Sequence, residues 1–254
     1  MGSLVLGAIV FLCLCAATAL GMFVRARLPG HHLQTDSTDV IRLATAVVGT
    51  LSALALGLLI ASAKSSYDEA EEGLKTSMAR IVLLDRLVDQ YGPGTGDTRN
   101  LLRKIIEARL ERGWNVTVVD RASGNLVGEY NYIESVQSNL RSLTPENQVQ
   151  QLIKTRALEV SGMIAEAHWL LVETESEGLP WPFLLVLVFW LALLFATFGL
   201  QAPPNATVAA ILVVCAISVG GAVFLIVDMA QPYIGVIHVS DAPLLSALDR
   251  LGQR

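Results

Sequence analysis

The chain has 254 residues, 53% hydrophobic and 16% charged, with a net charge of −5, whereas a soluble domain carries about 25% charged residues. Of its 41 charged residues, five fall in 1–63, thirty-one in 64–177, none in 178–227 and five in 228–254. This excludes an ordinary soluble enzyme, a basic nucleic-acid binder and a disulfide-stapled secreted domain, and describes a water-soluble block inserted between two lipid-compatible parts.

A spanning helix needs roughly 20 mostly apolar residues, because hydrocarbon offers no partner to a backbone polar group. The first such segment, Ser3 to Val24, is stopped by Arg25 and Arg27, and Pro29 and Gly30 break it. It has no basic start, its apolar run is long, and two arginines follow, which set it apart from a cleaved signal peptide. Cys13 and Cys15 within it read as small apolar core residues, and Cys215 later lies mid-membrane, with no disulfide or metal spacing. His31 and His32 follow in a short loop and suit a pH-sensitive loop or headgroup contact better than a metal site.

The second segment, about Val40 to Ala63, is framed by Arg42 and Lys64. Along it Thr45, Gly49, Ala53, Gly57, Ala61 and Ser65 recur every four residues, a ridge that lets another helix approach closely. The competing reading makes Thr45, Thr50 and Ser52 line a narrow polar path, with Leu56, Leu59 or Ile60 as an apolar constriction that gates by dewetting. Both hold if one face packs and another lines a path. Arg42 and Lys64 are 22 positions apart, roughly 33 Å along a helix, and read as basic anchors at the two interfaces. Asp36 and Asp39 compensate Arg42 at the helix start. In a ring of subunits Lys64 becomes a circle of cations at a pore mouth.

No stop signal follows Lys64. Ser65 to Tyr91 holds no proline and one glycine, with Leu74, Met78, Ile81, Leu84, Val88 and Tyr91 at three- and four-residue spacing. An amphipathic helix therefore continues out of the membrane. Gly92, Pro93, Gly94 and Gly96 end it in a turn, which is no phosphate loop because no Lys-Ser or Lys-Thr follows. A helix from Thr98 to about Trp114 has Leu102, Ile105, Ile106 and Leu110 on one face. Val116, Val118 and Val119, followed by Ala122, Ser123 and Gly124, read as a short strand and turn. Thr144, Pro145 and Glu146 predict an N-cap, a proline at the first helical position and an acid in the first turn of a helix reaching Glu175. His168 and Trp169 read as interfacial residues before the third crossing.

The uncharged stretch 178–227 is too long for one crossing and is interrupted by Pro203, Pro204 and Asn205. It reads as a hairpin of Trp181 to Leu200 and Ala206 to Val227, and Asp228 follows directly as an ionisable residue at the interface, either functional or a helix-end carboxylate facing water. The fold class is all-α and polytopic. Four transmembrane helices are arranged as a hairpin in 1–63, a mainly helical soluble insert in 64–178, a second hairpin in 179–227 and a C-terminal tail in 228–254. An even number of crossings puts both termini and the insert on one side. Arg25, Arg27 and Arg42 on one face balance Lys64, Lys75 and Arg80 on the other, so the positive-inside rule gives no orientation.

Acids crowd the same end as Lys64. Asp68, Glu69, Glu71 and Glu72 leave the membrane, Glu173, Glu175 and Glu177 return to it, and Asp228 ends the fourth crossing. Eight acids against one lysine is a solvated face by default; around an oligomer it concentrates cations and repels anions.

Several stretches carry a family likeness: His31-His32-Leu33 after Pro29, Asp39-Val40, the run from Leu56-Gly57-Leu58 to Ser66-Tyr67-Asp68, Pro180-Trp181-Pro182-Phe183, and Gln231-Pro232-Tyr233-Ile234-Gly235 with Ser240 and Pro243-Leu244. Over essentially the whole chain this resembles the bacterial bestrophin-like domain family, four-helix membrane proteins of unknown function. The resemblance implies a distant likeness to bestrophins, pentameric anion channels with cytosolic termini and a pore lined by the second membrane helix. It further implies a multi-pass protein of the bacterial inner membrane, with the termini and the 64–178 insert cytoplasmic. Its implied partners are the lipid bilayer, its own copies and inorganic ions. One departure matters: the bestrophin pore has a neck of phenylalanines, and Val40 to Ala63 contains no aromatic residue. Anion selectivity therefore does not carry over.

No nucleophile with a base, phosphate-binding loop or metal-ligand cluster stands out, so no catalytic residue, metal, cofactor or nucleic acid is expected. The leading reading is a homo-oligomeric ion pore with the ion unassigned, its mouth charges Arg42, Lys64, Asp68 and Asp228. The alternative is a membrane-anchored helical sensor or scaffold whose soluble helices bind a cytosolic partner.

Overall fold

A computed structural model describes residues 2–28, 35–112, 127–174, 181–203, 205–233 and 235–252. All regular structure among them is helical: α1 (Ser3–Arg27), α2 (Thr35–Tyr91), α3 (Gly96–Arg112), α4 (Val127–Ser142), α5 (Gln148–Thr174), α6 (Trp181–Gln201), α7 (Ala206–Met229) and α8 (Ala242–Gly252). The strand and turn expected at Val116 to Gly124, and the His31-His32 loop, lie outside the described residues. Four helices, α1, α2, α6 and α7, are long and apolar enough to cross a membrane. The chain forms two compact units, Met1–Tyr67 with Gly178–Ile237 and Asp68–Glu177 with His238–Arg254.

In the membrane unit α1 packs against both α6 and α7. Glycines permit this. A Cβ on Gly21 would overlap the Ala196 carbonyl, and one on Gly199 would overlap the Thr18 carbonyl, so α1 and α6 meet backbone to backbone. Toward α7, a Cβ on Gly7 would come within 2.9 Å of the Phe224 Cβ. Val10 and Leu14 of α1, Leu187, Leu191, Leu194 and Phe195 of α6, and Ala216 and Val223 of α7 fill the interior. The Arg25 guanidinium donates to the Ala202 carbonyl at 2.7 Å, so the stop signal of the first span satisfies an open carbonyl at the end of the third. The cysteines divide: Cys15 packs against this interior, whereas Cys13 and Cys215 are exposed on the outside of the bundle. The core reading therefore holds for Cys15 and fails for Cys13, while Cys215 lies in the middle of the fourth span.

The second unit is built on the expected stripe of α2, with Leu74, Met78, Ile81, Leu84 and Val88 buried. Leu102, Ile105 and Ile106 of α3, Ile133, Val136 and Leu140 of α4, and Ala157, Val160 and Ile164 of α5 are buried in the same unit. The turn after α2 needs Gly92 (φ +109°) and Gly94 (φ +98°), a region in which a side chain is strained. Across it the Thr95 hydroxyl donates to the Val88 and Gly92 carbonyls, and Arg99 of α3 binds both oxygens of the buried Asp85 and one of Asp89. The bond to Asp85 holds the Arg99 guanidinium above its ordinary pKa, so the guanidinium stays charged throughout the physiological range.

One helix end differs from expectation. α5 begins at Gln148, and its cap is Asn147, whose Oδ1 accepts from the Gln150 amide at 2.9 Å, not Thr144. An Asn side chain reaches the third amide on as well as Thr does, and the carbonyls of Arg141 and Leu143 just upstream are instead taken by the Lys154 ammonium. The C-terminal tail contains α8, with Leu244 and Ala247 buried and the helix packed on α3.

Gly199→Val is expected to lower stability by about 3 kcal/mol or more, because the contact it breaks is backbone on backbone; thermal unfolding in detergent measures it. Tyr91 is buried, and its hydroxyl has no partner among the described residues. Tyr91→Phe is therefore expected to raise stability by about 1 kcal/mol in the same assay.

Candidate functional site

The candidate residues lie on the membrane stretch of α2, and burial sorts them by face. Ser52 and Ala63 are buried, and Val48, Ala55, Leu56 and Leu59 pack against the bundle interior. Thr45 and Gly49 are half-buried, Gly49 placed so that a Cβ would lie 3.8 Å from Leu194 Cδ2. Thr50, Ala53, Gly57 and Ile60 are exposed. The four-residue ridge therefore does not stay on one face. A spacing of four drifts by about 40° per step on an α-helix, and the ridge winds from the packed side at Thr45 to the open side at Gly57, Ala61 and Ser65.

The open side carries two stripes at four- and three-residue spacings. One is small: Ala46, Thr50, Ala53 and Gly57, all exposed, with open space around Gly57. The other is bulky: Leu43, Val47, Leu51, Leu54 and Leu58, with Leu54 72% and Leu58 70% exposed. Only 11% of the apolar window of α2 is buried, against 22–28% for the other three spans. The hydroxyls on this helix are satisfied locally. Thr45, Thr50 and Ser52 donate to the carbonyls of Ile41, Val47 and Val48 at 2.7–2.8 Å, which lets them sit in hydrocarbon while their oxygens keep acceptor capacity.

The charges at the helix ends are spread differently from their sequence count. Arg42 and Asp39 are both exposed, with 3.6 Å between their charged groups, a contact that contributes little. Lys64 lies over the Tyr67 ring at 5.4 Å. Beyond it Asp68, Glu69 and Glu72 are exposed, while Glu71 pairs with Lys75 at 2.6 Å, which raises the Lys75 pKa. The side chains of Glu173, Glu175 and Glu177 lie outside the described residues.

Asp228 does not face water. It is fully buried, and its carboxylate accepts the Ser3 hydroxyl and the amides of Val236 (3.0 Å) and Ile237 (2.7 Å). Ser3 and the Gly235 to Ile237 segment were not legible as its partners. The only available signals were a lone hydroxyl opening an apolar helix and a glycine seven residues after the acid. The reading of Asp228 as a water-facing helix end gives way to an inward-turned acid.

The profile of the Bestrophin-like domain matches residues 12–244. Two crystal structures of a bacterial bestrophin homolog from Klebsiella pneumoniae, each with one point mutation, are similar in fold. Their TM-scores are 0.62 and 0.63 at 13% identity, covering 96% of this chain and 97% of theirs. No curated protein matches the chain.

The faces of α2 make separable demands on the subunit. Ser52→Leu is expected to destabilise the detergent-dispersed monomer by about 2 kcal/mol through overpacking. Ala53→Leu and Gly57→Leu should leave its melting free energy within about 0.5 kcal/mol.

Proposed function

We propose that this chain, which belongs to the Bestrophin-like family, is one subunit of a homo-oligomeric ion-conducting pore in the bacterial inner membrane, with α2 nearest the axis. The observation that carries this reading is the open side of α2. It is the span least covered by its own chain, and its exposed surface combines a small-residue stripe with a bulky one.

In a ring, the small stripe at Ala46, Thr50, Ala53 and Gly57 leaves width at the axis, and Thr50 offers an acceptor oxygen along the path. Leu54 and Leu58, turned to the side, close the gap to the next subunit. Gly49, next to Leu194, sits where α2 lies against its own bundle. Ile60, exposed and one turn beyond Leu56, is the constriction candidate on the open side. Arg42 at one mouth and Lys64 with Asp68 at the other complete the path. A pentamer, with termini and insert cytoplasmic, follows the bestrophin likeness, and the ion is left open by the residues.

The test is flux through purified protein in liposomes. The wild type is expected to pass ions, and Gly57→Leu to reduce the flux at least tenfold, because an isobutyl group from every subunit adds a barrier of about 1.4 kcal/mol or more. A folded oligomer that passes no cation or anion overturns the proposal. The scaffold reading draws on the same helix, continuous from Thr35 to Tyr91. It gains if a stoichiometric partner is captured, is lost on deleting residues 92–140, and no conductance appears.

A further inference from the structure

We propose that the Asp228 carboxylate is a latch, holding residues 235–237 as a strap on the membrane unit and so setting the length of tether that leads to α8. The proposal does not depend on whether the assembly conducts.

The strap has little else to hold it by burial. Val236 is 62% and Ile237 38% exposed, and His238 is exposed as well. Its backbone, by contrast, is shaped to return to Asp228. The Ala230 amide donates to Ile226, the Gln231 amide to the Asp228 carbonyl and the Gly235 amide to Gln231. This compact turn delivers the next two amides, of Val236 and Ile237, to the two carboxylate oxygens. Gly235 is where the chain passes closest: a Cβ there would stand 2.8 Å from Asp228 Oδ1 and 2.9 Å from its Cγ. No larger residue lets the strap close without moving the acid.

The acid is also placed where its charge is tolerated. A further partner, Ser3, opens α1, so the carboxylate meets the positive end of that helix as well as the donors from Ser3, Val236 and Ile237. One buried group thereby ties the start of the first span, the end of the fourth and the outgoing chain.

The consequence is mechanical. Val239, fully buried, is the next held residue before α8: with the strap latched only His238 separates the anchored Ile237 from it, and released, residues 230–238 do. At full extension these reach at most about 3.5 Å and about 32 Å. A latched strap transmits a displacement of α8 to the ends of α1 and α7, and a released one absorbs it.

Hydrogen exchange on the full-length protein in nanodiscs tests this. Asp228→Ala is expected to speed exchange at the Val236 and Ile237 amides at least about tenfold, with Asp228→Asn intermediate because it keeps one acceptor oxygen. Ser3→Ala, the mildest change, should speed them about threefold, since it loosens the acid without removing it. Amides of Leu187 to Phe195 should keep their protection in all three. Unchanged exchange at Val236 and Ile237 in both Asp228 variants overturns the latch. So does accelerated exchange spreading through α1, α6 and α7 in all three variants, which makes Asp228 a staple of the whole bundle.

Discussion

Apolar side chains in hydrocarbon gain nothing by meeting one another, since lipid tails are equally good company, so a membrane helix is held by how near its backbone comes to that of its neighbour. In this protein that condition is met by Gly21 and Gly199, where any side chain would occupy the space of a carbonyl on the opposite helix. The rest of the membrane unit is arranged around that contact. Once α1 is pressed on α6, Leu14 and Val10 reach the interior beside Leu187, Leu191 and Phe195. The Arg25 side chain then lies within reach of the Ala202 carbonyl.

Because α1 occupies the middle of the unit, α2 is left with one packed face and a broad open one. Ser52 fixes the packed face, buried and bonded back to Val48. The same hydroxyl chemistry on the open side, at Thr50, means that polarity in this helix is satisfied by its own backbone and needs no partner on another helix. Polar character alone is thus a weak argument for a path. The stronger one is the pairing of low burial with two distinct stripes, since a helix meant only for lipid has no reason to separate small residues from bulky ones.

The four spans and the amphipathic continuation of α2 were legible because each rests on a repeating pattern: long uncharged runs, or apolar residues from Leu74 to Val88 at helical spacing. What was missed depends on single residues meeting across long separations. The glycines of α1 are no more conspicuous than those of α2, yet Gly21 touches a backbone while Gly57 meets open space, and spacing within one helix cannot say which has a partner. Asp228 could be flagged by its depth, but its partners are Ser3, 225 positions away, and two backbone amides that carry no side-chain signature. The ridge at Thr45 to Ser65 was correctly seen as small but not as winding, because a period of four and a face of constant direction are different things on a helix of 3.6 residues per turn. Asn147, which displaces Thr144 as the cap of α5, is a choice between two good cap residues that only the bond itself decides.

The charges lead to a more exacting conclusion about ions. By count, the end of α2 is strongly acidic, and on that basis a ring of subunits repels anions. Geometry redistributes the count. Asp228 is turned inward and bonded, and Glu71 is paired with Lys75. Following the small stripe by its four- and three-residue spacing past Gly57 leads to Lys64, Asp68, Glu71 and Lys75, two cations and two anions on one side of the helix. Glu69 and Glu72 fall on the neighbouring flank, with the bulky stripe. On the proposed arrangement the face nearest the axis therefore carries no net charge, and the surplus acid lies to its side. Discrimination between ions then falls to the uncharged stretch from Thr50 to Ile60, through its width and the cost of stripping water from an ion there.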